Sequence, residues 1–156
     1  MRISILGGSG HEAEVGGWLH RTWWAIDGWS LSETIDYCAR ARGPAAPTVW
    51  VATVGGRPMG TVALDLDDLF QRPELNPWLA SLYVTPDARG GGIGAALVRH
   101  VEQHAAAAGF DRIWLFTPDK SAFYNRLGWR HEGPENWHGE AVTLMSRQIG
   151  ASSPLP

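Results

Sequence analysis

A single cysteine, Cys38, in a chain of 156 residues rules out an internal disulfide and leaves no second thiolate for a metal centre. A reducing compartment, the cytoplasm, is the expected setting. Basic charge is also in short supply: 13 Lys and Arg stand against 16 Asp and Glu, so no surplus is available to coat nucleic acid. No stretch approaches the ~18 consecutive apolar residues that a membrane span needs. The opening "MRISILGGSG" lacks the long apolar core of a signal peptide. What is plentiful is apolar surface: 44% hydrophobic residues against 19% charged mark a globular chain. Residues 1–149 are expected to form one domain, and the tail "GASSPLP" at 150–156 to be disordered. Trp18, Trp23, Trp24 and Trp29 crowd one short segment, and a cluster so rich in aromatic surface is either core or the wall of a ligand pocket.

The order of elements follows from periodicity and turn chemistry. "RISIL" reads as a strand, and "EAEVGGWLHRTWWAI" can be helical, weakened by Gly16 and Gly17. "SLSETIDYCARAR" is a clearer helix with Ser32 as its expected N-cap, stopping at the Gly/Pro connector from Gly43 to Pro47. "TVWVATV" and "MGTVALDL" form a hairpin turning at Gly55 and Gly56. After the acidic loop "DLDDLFQRPELNP" comes the apolar strand "WLASLYV". Ile93, Leu97, Val101, Ala105 and Ala108 recur at helical spacing, Arg99, Glu102 and Gln103 lie elsewhere on the wheel, and Gly109 is a stop. The strand "RIWLF", a short helix in "DKSAFYNRLG", a polar hairpin through Trp137 to Gly139 and the closing strand "AVTLMSRQI" complete the chain. The expected fold class is α/β (α+β), with a mixed, mainly antiparallel sheet, one crossover and flanking helices.

Two glycine-rich stretches invite a dinucleotide reading. Gly8, Gly10 and Ala13 follow a strand and Asp27 lies at the ribose-binding distance, but antiparallel hairpin strands come next instead of further β–α units. Gly90, Gly92 and Ala95 repeat the pattern, yet "TPDAR" separates them from the strand, and Asp111 sits before the next strand rather than at its end. A Walker A loop needs Lys and Ser or Thr where this chain has Ala95 and Ala96. What remains is general: a helix N-terminus presents unpaired N–H groups, and residues without Cβ let an anion approach them.

The stretch "LYVTPDARGGGIGAALV", with Arg89, Gly92 and Gly94 in an Arg-x-x-Gly-x-Gly pattern, resembles the acetyl-CoA-binding motif of the GNAT family of N-acetyltransferases. "SAFYNRLGW" is similar to the family's tyrosine-bearing helix, so the resemblance runs from about Thr48 to Ile149. It implies the acyl-CoA N-acyltransferase fold, with acetyl-CoA as co-substrate. Backbone groups of Leu82, Tyr83 and Val84 would then pair with the pantetheine arm, and N–H groups of Arg89, Gly90, Gly91, Gly92, Ile93, Gly94 and Ala95 would hold the pyrophosphate. The Arg89 side chain has two open destinations, a phosphate or a loop carbonyl. By the same resemblance Tyr124 would protonate the departing thiolate and an N–H near Leu82 would hold the oxyanion.

Acetyl transfer to a primary amine by direct attack is the expected reaction, with a small amine, an antibiotic amino group or a peptide amine all open as acceptor. A catalytically silent acyl-CoA-binding module of the same fold is the alternative. The general base is open among Asp65, Asp67, Asp68 and a water chain, against the plain reading of an acidic loop as solvated. His100 and His104 stand four apart but lack a third ligand, so no metal site is expected, and His104 reads as a hydrogen-bonded boundary residue. Cys38 reads as a small buried apolar residue. If a tryptophan of the cluster faces the cleft, ring–cation attraction favours a cationic acceptor. Neither nucleic acid nor membrane is an expected partner, and a homodimer is left open.

Overall fold

The computed structural model describes residues 1–44 and 46–150, so the expectation of a disordered tail falls almost wholly outside the described residues. Seven strands form one sheet: β1 Arg2–Ile5, β2 Thr48–Val54, β3 Arg57–Asp65, β4 Trp78–Val84, β5 Arg112–Thr117, β6 Arg130–Trp137 and β7 Glu140–Gln148. Their spatial order is β1-β2-β3-β4-β5-β7-β6, and only β4 and β5 run parallel. The helices are α1 Glu12–Leu19, α2 Leu31–Arg40, α3 Ile93–Ala107 and α4 Ser121–Arg126. α1 continues as a π-helical turn over His20–Trp24, and a 3₁₀ turn spans Pro86–Ala88.

The hairpin turns where expected, with Gly55 and Gly56 both at positive φ, as a two-residue primed turn requires. α2 begins two residues earlier than Ser32 would place it. Ser30 is its N-cap, accepting the Glu33 N–H at 3.0 Å, while the Glu33 carboxylate accepts the Ser30 N–H at 2.9 Å. That reciprocal pair satisfies two donors, and Ser32 has no acidic residue three places on to match it. Gly16, which weakens α1 on propensity, lies against α2: a Cβ there would come within 2.8 Å of the Ile35 side chain.

Of the three buried clusters, one comprises Leu69, Leu75, Trp78 and Leu144, and the other two sandwich the sheet. Leu6, Val15, Leu19, Cys38, Val51 and Ala80 pack between it and α1–α2, while Val62, Leu64, Leu97, Val101, Ile113 and Trp129 pack beneath α3 and α4. Glu102, which the helical wheel put with the polar residues, is buried. Its carboxylate takes the Trp129 indole N–H at 3.0 Å and pairs with Arg99 at 3.0 Å and Arg147 at 3.2 Å. The chain from β1 to α1 has no dinucleotide topology, since β1 pairs antiparallel with β2. No described helix is long and apolar enough to cross a membrane.

Candidate active site

β4 and β5 touch in register at one pair only, Trp78 with Trp114, where the Trp114 N–H also reaches the Pro77 carbonyl at 3.1 Å. Beyond it the strands diverge, leaving Leu79 to Val84 without a partner on β5. β3 covers the other edge of β4, but the register slips there: Thr61 faces Tyr83 and Ala63 faces Ala80, so Ser81 and Leu82 together oppose Val62. Ser81 takes up the extra residue at φ 56°, a conformation that non-glycine residues adopt at a cost. A bulge leaves backbone groups outside the ladder, and here they border an open fork in the sheet.

The glycine run lies at the mouth of that fork. Gly90 and Gly92 have φ of 83° and 88°, and Gly92 is the N-cap of α3 with no side chain covering the helix end. Ala96 is the first residue whose N–H bonds back, to the Gly92 carbonyl at 3.0 Å, so the N–H groups of Ile93, Gly94 and Ala95 have no helical acceptor. Gly94 faces α4, where its absent Cβ would sit 3.5 Å from the Phe123 ring. The Arg89 side chain goes to a carbonyl: Nε donates to Val84 O at 2.9 Å, with the guanidinium 5.6 Å from the Tyr83 ring centroid. Gly60 on β3 lets α3 come this close, since a Cβ there would meet Leu97 at 3.0 Å and Ile93 at 3.1 Å.

Tyr124 is 7% exposed, packed beside Phe123 and Trp129. Burial pushes its phenol above its usual range, so it stays protonated. A forked sheet, a bare helix start and a nearby protonated phenol suit an extended, phosphate-bearing acyl donor.

The sequence pattern of the acetyltransferase (GNAT) family matches residues 15–129. The chain belongs to that family. An uncharacterized N-acetyltransferase of Methanocaldococcus jannaschii is 33% identical over 89 residues, covering 53% of this chain and 39% of that protein. The amino-acid acetyltransferase of Ralstonia nicotianae is 32% identical over 79 residues, 44% of this chain and 18% of its own. The chain thus matches well under half the length of these curated relatives. An aminoglycoside 6'-N-acetyltransferase solved with coenzyme A superposes over 100% of this chain and 99% of its own, with a TM-score of 0.74 at 18% identity, a likeness of fold.

The other face of this GNAT fold carries groups that sequence reasoning did not bring together. Asp65 ends β3 and accepts a hydrogen bond from the Tyr37 hydroxyl of α2. Burial drives its carboxyl up to about 6, with the Tyr37 bond pulling down and Asp67 pushing up. Asp68 is half-buried, and burial, then Asp65, then Asp27 raise its carboxyl well above its ordinary value. Asp67 is exposed, so of the three acids only this one fits the reading of a solvated loop. Asp27, from the α1–α2 loop, bonds to His138 of the β6–β7 turn, joining the covers of the two half-sheets. Asp27, Asp68, Phe70, Trp137 and His138 line a cleft of about 390 Å³.

The tryptophans divide. Trp18 is core, while Trp24 and Trp29 surround Tyr37 with ring centroids 4.9 and 6.0 Å away. Tyr37 and Asp65 are 28 residues apart and Asp27 and His138 are 111 apart, separations at which no motif spacing operates. His104 Nε2 donates to the Pro44 carbonyl, 2.6 Å away, and His104 packs with His100 on Trp50. No metal-binding group of three occurs among the described residues. Cys38 is fully buried and its thiol is pushed up to about 12, which makes it inert.

Proposed function

We propose that the chain transfers acetyl from acetyl-CoA to the amino group of a small cationic acceptor, by direct attack of the amine on the thioester. The observation that carries this reading is the fork beyond the Trp78–Trp114 pair, with unpaired helix N–H groups at one end and buried carboxylates at the other. The family uses acetyl-CoA, and each part of that molecule has a counterpart here. Backbone of Leu82, Tyr83 and Val84 lies along the open edge for the pantetheine arm, and the N–H groups from Arg89 to Ala95 suit its pyrophosphate. Val84 O already receives Arg89, so Leu82 in the bulge is the freer group, and we assign its N–H to the thioester oxygen.

Proton movements follow from the two titratable groups beside the fork. Tyr124, held protonated by burial, donates to the departing sulfur. Asp65, with its carboxyl near 6, is ionised at neutral pH yet basic enough to take the ammonium proton. It sits beside Trp78, four residues from Leu82 along β4, or about 13 Å. The proton therefore reaches it along a chain of several waters, each hop spanning about 2.8 Å.

A cationic acceptor suits the aromatic and carboxylate lining of the cleft. Aminoglycosides, which the structural neighbour acetylates by name, head the panel, followed by amino acids and peptide N-termini. The single cysteine supports a cytoplasmic setting. Calorimetry with acetyl-CoA and a thiol-release assay across the amine panel test the reading. Cofactor binding with turnover of a cationic amine is expected. Absence of acetyl-CoA binding refutes the whole reading, and binding without any turnover assigns the fold to a silent acyl-CoA-binding module.

A further inference from the structure

Among the described residues, Tyr37 is the one side chain hydrogen-bonded to Asp65, and its surroundings leave it little freedom. It stands near the end of α2, whose start is fixed by the Ser30–Glu33 capping box. Trp24 and Trp29 contact its ring edge-on at 60° and 81°, and they pack on each other with centroids 4.9 Å apart. Trp29 is itself tied at both ends, its N–H to Trp24 O at 3.1 Å and its carbonyl to the His20 ring at 3.0 Å. Four elements thus converge to aim one phenol at one carboxylate.

The direction of that hydrogen bond is fixed. Burial and the charge of Asp65 hold the Tyr37 phenol far above its usual range, so it donates at every working pH and the carboxylate accepts. Such a bond favours the ionised carboxylate and locks its orientation. Opposing it are the other groups around Asp65. Cys38, from α2, is neutral, Asp67 and Asp68 follow it in the loop, and Asp27, held by His138, lies beyond Asp68.

We propose that Tyr37 is the positioning residue of the general base: its hydroxyl holds the Asp65 carboxylate in place beside Asp68, which lines the acceptor cleft, and the Trp24–Trp29 box holds Tyr37. The inference rests on the reading of Asp65 as base. It makes the aromatic cluster of the α1–α2 segment part of the catalytic support and not only of the core.

The test compares Tyr37→Phe, Asp65→Asn and the double variant with the natural chain, following kcat/KM against pH with acetyl-CoA and an amine that turns over. Losing one hydrogen bond to a charged group is expected to move the acid limb of the Tyr37→Phe profile up by about one pH unit. Activity recovers on the alkaline side, and KM for acetyl-CoA is unchanged. Asp65→Asn loses the limb and most of the rate, and adding Tyr37→Phe to it changes nothing further. Trp24→Leu, which loosens the box and keeps the hydroxyl, gives a smaller shift of the same sign and stands in if Tyr37→Phe does not fold. An unmoved acid limb, or an equal loss from Tyr37→Phe with and without Asp65, overturns the role of Tyr37 alone. A fully active Asp65→Asn with an unchanged profile overturns the base assignment while leaving acetyl transfer standing.

Discussion

Replacing Gly92 and Gly94 by alanine, one at a time, should have opposite effects although each change adds one methyl group two residues apart. At Gly92 there is room, for no atom lies within 4 Å of a Cβ built there, so crowding is not the cost. The cost is backbone: φ is 88°, and an L-residue in the left-handed region loses about 1–2 kcal/mol. At Gly94 the backbone is helical and the new methyl would meet Phe123 at 3.5 Å and Val84 at 3.7 Å, ordinary contact distances. Alanine in place of glycine inside a helix gains about 0.5–1 kcal/mol. The two variants should therefore differ by roughly 1.5–3 kcal/mol, or about 3–12 °C in Tm for a chain of this size. Binding should separate them further. To escape φ 88° the Gly92→Ala chain must turn the peptides that open α3, and losing even one N–H bond to a phosphate weakens acetyl-CoA by about 10-fold or more. Gly94→Ala should bind within about threefold of the natural chain. Differential scanning fluorimetry and calorimetry read both quantities. A Gly92→Ala variant with unchanged Tm and Kd would show that neither the left-handed cap nor the N–H groups behind it hold the cofactor.

Tyr124→Phe should keep acetyl-CoA binding and lower kcat about 100-fold, and equal turnover in a thiol-release assay would remove the phenol from the reaction. Glu102→Ala strips the buried Trp129 N–H of its acceptor and separates Arg99 and Arg147 from their carboxylate; as both arginines are partly exposed, about 3 kcal/mol should be lost in urea unfolding, against about 1 kcal/mol for Glu102→Gln. An alanine variant as stable as the glutamine one would contradict that account. Asp65 has its folded carboxyl raised to about 6 from 3.8, so the unfolded chain gives up this proton first and Asp65 withdraws stability as pH rises from about 4 to 6. Asp65→Asn should accordingly raise the urea midpoint at pH 7.5 and much less at pH 4.5, and a gain independent of pH would refute the raised carboxyl.

The parts of the site that were legible in the sequence are those with local causes. Gly55–Gly56, the cap at Gly92 and the stop at Gly109 all sit at positive φ, a requirement of single backbone positions that glycine answers directly. The α2 start was legible too, in Ser30 with Glu33 three residues on, but the second serine at Ser32 drew the expected N-cap inward. The bulge in β4 left no comparable mark, because Ser81 takes a positive φ without being a glycine. Glu102 was misplaced for another reason. A helical wheel sorts residues by polarity, and the partners that make its burial tolerable, Trp129 and Arg147, arrive 27 and 45 residues later.

This difference has a chemical origin. On the proposed reading the cofactor end meets a phosphate through main-chain N–H groups, so what it demands of the sequence is the absence of side chains over a few consecutive residues, and that absence is visible as a glycine run. On the same reading the acceptor end relies on side chains that discriminate by charge and shape, and these come from wherever the fold can spare them: Asp27 from one loop, Tyr37 from α2, Asp65 from the end of β3, His138 from a turn 111 residues beyond Asp27. Burying Asp65 and Asp68 near each other raises both carboxyls and costs stability that a purely hydrophobic core would not give up, which favours a site over a packing accident. A fold that keeps Asp68 in the wall of an open cleft with Asp65 next to it, and commits a phenol and two tryptophans to Asp65, suits the proposed use of a proton and a positive charge that arrive from outside.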